Sequence, residues 1–222
     1  MHYHQPIYRG TGQRNNKNIL KVIGEGSISA RPDRATVILG TTTEDQDLAK
    51  AQSENAEAIS RVIGSVLELG IPRENIQTFD YRAEPQYRYE DGKQIFIGYK
   101  VTHLLKITID RVDQVGRLVD TAVKNGANTV NNIDFSVSDP ILYYNKALAS
   151  AVQNALLKAQ TIAGSLGVTL IKTPRQVIEE SQAPKPIPFF TTAMVKGVST
   201  VPIEAGKLTI SAVVRAEYQY FY

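Results

Sequence analysis

Cysteine is absent from the 222 residues, which excludes disulfides, thiolate nucleophiles and cysteine-ligated metals. The absence is neutral on compartment, because a chain without thiols tolerates either redox environment. Histidine is scarce: of three, His2 and His4 sit at the very start, leaving His103 alone in the body of the chain. No apolar run approaches the roughly 20 residues that cross a bilayer as a helix, so no transmembrane segment is expected. Charge of one sign is also missing. A net charge of +3 and a pI near 9.0 are a small and scattered excess that does not argue for nucleic acid. The first residues, MHYHQPIYRGTGQRNNKN, carry no apolar core of a secretory signal. With an initiating Met1 this sets the expectation of a cytoplasmic chain.

What is present is an ordinary globular composition, 42% hydrophobic and 21% charged, in a chain long enough to bury a core without staples. Residues 1–18 are polar and are expected to form a flexible tail, with a domain over 19–222 that divides into subdomains 19–109 and 110–222. From Ile19 the pattern has period two: Leu20, Val22, Ile28 and Ala30 share one parity with Gly24 and Gly26. That is a strand with one buried face, and glycines on that face mark a bend or a close approach by another element. Pro32-Asp33 turns the chain into a second strand, Ala35 to Thr42. Thr43 to Gln46 has capping-box spacing before a helix that Gly70 ends. Extended pattern returns from Ile76 to Tyr89 and from Gln94 to Ile109, around Asp91-Gly92.

The apolar parities of these last two strands decide a register. Phe79, Tyr81, Ala83 and Tyr87 share one parity, and Ile95, Ile97, Tyr99, Val101, Leu105 and Ile107 share another. A two-residue loop would set the two groups on opposite faces, so an odd-length loop with a glycine bulge is expected, placing Tyr81 opposite His103. Beyond them, Asp110 can cap a short helix ended by Asn125-Gly126, and a strand runs from Thr129 to Val137. Asp139-Pro140 opens a long helix reaching Leu166, with alanines at 147, 149, 151, 155, 159 and 163 that permit close approach. Val168 to Glu180 reads as a strand, 181–200 as an exposed loop, and Gly206 to Tyr220 as a last alternating strand. The order ββαββ-αβαββ implies an α+β fold: largely antiparallel sheet with helices packed on one face and a long third helix.

Tests for chemistry return little. Gly24-Glu25-Gly26 is followed by more strand rather than a helix, and no Gly-Lys-Ser/Thr follows it, so it is no phosphate loop. Gly164-Ser165-Leu166-Gly167 is a helix end with the wrong spacing for a nucleophile elbow. His2-x-His4 supplies two ligands, short of a metal site. No catalytic residue, metal ligand or cofactor is assigned. Tyr81, Tyr99 and His103 stand out as ligand or interface candidates, because an isolated imidazole lies among aromatics on one strand face.

Several segments in order carry a resemblance: Val22-Ile23-Gly24-Glu25-Gly26, Arg31-Pro32-Asp33-Arg34-Ala35, Leu69-Gly70-Ile71-Pro72, Pro85-Gln86-Tyr87-Arg88-Tyr89, Gly126-Ala127-Asn128, Ile133-Asp134-Phe135-Ser136-Val137 and Pro202-Ile203-Glu204-Ala205-Gly206. Over about residues 19–220 the chain resembles the SIMPL-domain family of bacterial proteins. The resemblance implies no catalytic set. It implies relatives that are often exported, are loosely linked to stress responses, and in some cases assemble into large homo-oligomers. The chain is therefore expected to be a non-enzymatic homo-oligomer, with a long final strand and the alanine-rich helix as contacts. The alternative is a small-ligand binder with a pocket near His103 and Tyr81.

Overall fold

The computed structural model describes residues 18–180, 187–188 and 203–222. The tail expected over 1–18 lies outside them except for Asn18, as does the loop expected over 181–200 except for Ile187–Pro188. The chain groups into two compact units. One comprises Met1–Ser27, Lys146–Pro184 and Ser211–Tyr222, the other Ile28–Asn145 and Lys185–Ile210.

The larger unit is built on a four-stranded antiparallel sheet. Its strands are β2 (Arg34–Asp45), β3 (Ile76–Glu90), β4 (Lys93–Ile109) and β5 (Thr129–Ser136), ordered β3-β4-β2-β5. Two helices, α1 (Leu48–Glu68) and α2 (Val115–Lys124), cover one face. Val37, Leu39, Leu105 and Ile107 from the sheet pack there with Val62, Val66, Leu118 and Ala122 from the helices. Asp47, not Thr43, caps α1: its carboxylate accepts from Ala49 N and Lys50 N. Thr43 lies in β2 and donates to Ala51 O instead, because the strand runs three residues beyond the expected end. A 3-10 turn, Val112–Gln114, precedes α2, so Asp110 is not its cap.

The smaller unit holds most of a second sheet, ordered β1 (Ile19–Ala30), β9 (Leu208–Phe221), β6 (Thr169–Leu170). Two further strands, β7 (Gln176–Glu179) and β8 (Ile187–Pro188), also pair with β9. The single strand expected over 168–180 is thus two short ones. The last strand is flanked rather than free, so it offers no open edge. Its even-numbered residues from Leu208 to Tyr218 are buried, as strict alternation requires.

The third helix, α3 (Pro140–Leu166), buries Ala147, Ala151, Ala155, Ala159 and Ala163 along one stripe. Asp139 caps it, accepting from Leu142 N, and Gly167 ends it with φ 68°. The stripe lies on the glycines of β1. A Cβ at Gly24 would overlap the Ala151 carbonyl and Ala155, and one at Gly26 would overlap the Ala147 carbonyl. Two steps along the strand, about 6.6 Å, match four along the helix, about 6 Å. Five of the six alanines expected to serve a contact between copies are therefore already occupied within the chain, while Ala149 stays exposed.

Candidate functional site

Asp91 and Gly92 both have positive φ, 48° and 74°, and join Glu90 directly to Lys93 across the ladder. This is a two-residue turn of the type favoured by Asp-Gly, not the odd-length loop expected. The register is nevertheless the expected one: Tyr81 lies opposite His103. The device differs. Ile97 is an extra residue on β4 between the Tyr87–Phe96 and Gln86–Gly98 pairs, and Phe79 is a compensating extra residue on β3. Gly98, beside the first bulge, has φ 144° and approaches Asp45 so closely that a Cβ would lie 2.9 Å from its carbonyl oxygen.

The bulges keep Tyr81, Tyr87 and Tyr89 on one face with Phe96, Tyr99 and His103. Phe96 bridges this face edge-on, with ring centroids 5.8 Å from Tyr87 and 5.1 Å from Tyr99. The Tyr81 and His103 rings meet edge-on at 5.3 Å. Gln52 of α1 donates to the Tyr81 hydroxyl, and Thr78 shares a 3.2 Å hydrogen bond with His103 Nε2. Burial lowers the His103 pKa below its ordinary 6.5, favouring the neutral ring. No carboxylate bonds the imidazole among the described residues, so the Thr78–His103 pair lacks the third group that would orient a base. No group of three His, Cys, Asp or Glu side chains able to hold a metal is found among those residues either.

The sequence candidates thus share one face but not one pocket. Tyr99 also lines a cavity of about 190 Å³ with Glu44, Asp45 and Gly98. A hydrogen bond from Lys50 holds the Asp45 carboxyl below the ordinary carboxylate range. Tyr81 lies on the open surface. The face is the outward extension of the core: Val101, Leu105 and Ile107 share its parity and are covered by helix. The ladder between β2 and β4 ends at Asp45–Tyr99, and past it the hairpin continues as a two-stranded ribbon. There Tyr87, Tyr89 and Phe96 are exposed, Tyr89 to 73%.

Sequence reasoning missed Asn55. It is buried in α1, and its amide nitrogen donates to Thr41 O and Val101 O, clamping β2 to β4, while its Oδ1 has no partner among the described residues. The signal was present: an amide at position 55 interrupts an apolar stripe of Ala51, Ile59 and Val62.

Comparison with known proteins places these features in a family without assigning them a role. The chain is 33% identical over 141 residues to the uncharacterized protein YggE of Escherichia coli (strain K12). That match takes in 63% of this chain and 57% of the relative, so less than two thirds of the relative's length is spanned. It is 29% identical over 210 residues to the 26 kDa periplasmic immunogenic protein of Brucella melitensis, covering 90% of this chain and 84% of that one. The second match overturns the expectation of a strictly cytoplasmic chain, since a relative along nearly the whole fold is named a periplasmic protein. That expectation rested on the lack of an apolar core in the first residues and on Met1, and nothing in the packing of a cysteine-free core distinguishes one compartment from another. The match over residues 20–218 shows that the chain belongs to the SIMPL family, described as a protein of unknown function (DUF541).

Proposed function

We propose that this chain is a non-enzymatic, self-assembling protein, and that copies meet through the aromatic ribbon of β3 and β4. The observation that carries the reading is a sheet face that is core along one half and bare along the other. Tyr81, Tyr87, Tyr89 and Phe96 together leave on the order of 500 Å² uncovered, at the upper end for the largest patch of a monomer. Two such faces would bury about 1,000 Å² between them, the lower bound of a specific interface. A two-stranded ribbon is marginal by itself in water, which favours cover from a partner.

A second copy suits the charges. β3 is an edge strand. Its even-numbered side chains Arg82, Glu84, Arg88 and Glu90 alternate to the face opposite Tyr81, Tyr87 and Tyr89, so a second copy can cover the aromatics without burying these charges. The loose association of relatives with stress responses is compatible with a scaffold role and adds no chemistry to it.

Light scattering coupled to gel filtration at micromolar concentration tests the reading. A mass above that of one chain is expected. Tyr87→Ser combined with Phe96→Ser should shift the population towards monomer without changing the far-ultraviolet circular dichroism. A parent protein that is monomeric at that concentration removes the proposal.

A further inference from the structure

In the smaller unit, α3 follows the free edge of β1 with a row of side chains spaced four apart. Asn154 Oδ1 accepts from Glu25 N at 3.1 Å, and Lys158 Nζ donates to Ile23 O at 2.9 Å. Ile162 is next in the row. The short Asn154 side chain holds the helix against the edge at Glu25, leaving no width for an added strand there. Lys158 spans a wider gap with its long stem, and a groove of about 620 Å³ opens beside it. Val22 and Ile23 line the strand side, Leu157 and Ile162 the helix side. Leu157 is 61% exposed, Ile23 45% and Ile162 38%, so these apolar side chains are uncovered, while Val22 is buried beneath them.

The charged lining is cationic. Lys21 and Lys158 border the groove and no acid does; α3 itself carries two lysines and no acidic residue in 27 positions. Lys21 is paired with Glu217. Lys158 has no carboxylate partner among the described residues, and its bond to Ile23 O leaves two of its three N–H donors. Glu25 shares a neighbouring polar cleft of about 550 Å³ with Lys158.

We propose that this groove binds a long-chain carboxylate. The alkyl chain lies against Ile23, Leu157 and Ile162, and the carboxylate accepts from Lys158. The volume falls within the range of small-molecule sites, which combine apolar walls with a few placed polar groups. A charge-assisted hydrogen bond at the end of the apolar wall fixes the orientation of the chain.

The probe is dodecanoate, titrated below its micellar concentration and followed by calorimetry. One saturable site is expected, with hexanoate at least tenfold weaker because it covers less of the wall. Lys158→Gln should weaken dodecanoate about tenfold. Leu157→Glu, at an exposed position, should abolish binding, while Tyr89→Ser on the aromatic ribbon should leave it unchanged. A rise in melting temperature with dodecanoate, present in the parent and lost in Leu157→Glu, provides a second readout independent of heat. Absence of saturable binding overturns the proposal, as does a Leu157→Glu variant that binds like the parent. Adsorption to phosphatidylglycerol vesicles that survives Leu157→Glu, without dodecanoate binding, overturns it in favour of a membrane surface.

Discussion

At the scale of single residues, glycine has two opposite meanings in this chain. Gly24 is pressed against α3, where any Cβ meets backbone that cannot move aside. Gly24→Ala should therefore destabilise the protein by about 1–3 kcal/mol, the range for overpacking, read from urea unfolding. Gly64 sits in the interior of α1 with nothing within 4 Å of an added Cβ. Gly64→Ala should stabilise by up to about 1 kcal/mol through helix propensity, in the same assay. His103 gives a pH dependence with a definite sign. Its folded pKa is depressed by burial, so the neutral ring contributes stability above about pH 6.5 that is lost as the pH falls through the folded value. Against His103→Gln, the parent's relative melting temperature should be flat at higher pH and decline on acidification. A difference that stays constant through that range would show that protonation is not opposed by the fold.

At the scale of elements, the helix starts show how local signals compete. Thr43-Glu44-Asp45-Gln46 has the spacing of a capping box, but β2 continues to Asp45 and draws Thr43 into the ladder opposite Val101. Asp47 then supplies the cap, and Asp47→Ala should cost about 1 kcal/mol of stability by chemical denaturation; Asp47→Asn, which keeps an acceptor, should cost less. The β3–β4 hairpin is the converse case. Its apolar parity identified the register around Tyr81 and His103, because burying one face demands it. The parity could not reveal how the register is reached: a tight Asp-Gly turn would misalign the faces, and the Ile97 bulge corrects this. A bulge next to Gly98 leaves only a glycine in the sequence as its trace.

At the scale of the whole molecule, the first and last described strands are neighbours in one sheet, and β9 is the strand to which β1, β6, β7 and β8 all pair. Truncation before Leu208 should therefore abolish that sheet altogether, seen as a loss of circular dichroism strand signal and protease resistance in residues 19–27 and 146–180. Survival of protection there would refute the pairing. The same scale shows that the surfaces first suspected of joining copies are largely covered within the chain. An alternating strand is read equally well as edge or centre, and an alanine stripe as a contact within or between chains. Only the fold shows β9 flanked and the stripe seated on β1, and only it uncovers the aromatic ribbon.

What the sequence by itself determined was local and periodic: which residues face inward, where Gly70 and Gly167 end helices, and that the glycines of β1 mark a bend or a close approach, of which the structure shows the second. These follow from backbone sterics and from burial of one face, which act over a few residues. The tertiary structure alone decided which element that neighbour is, which strands are edges, and where a core face runs out of cover. Those outcomes depend on contacts between residues more than a hundred positions apart, such as Glu25 with Asn154, and no periodicity along a chain encodes such a pairing.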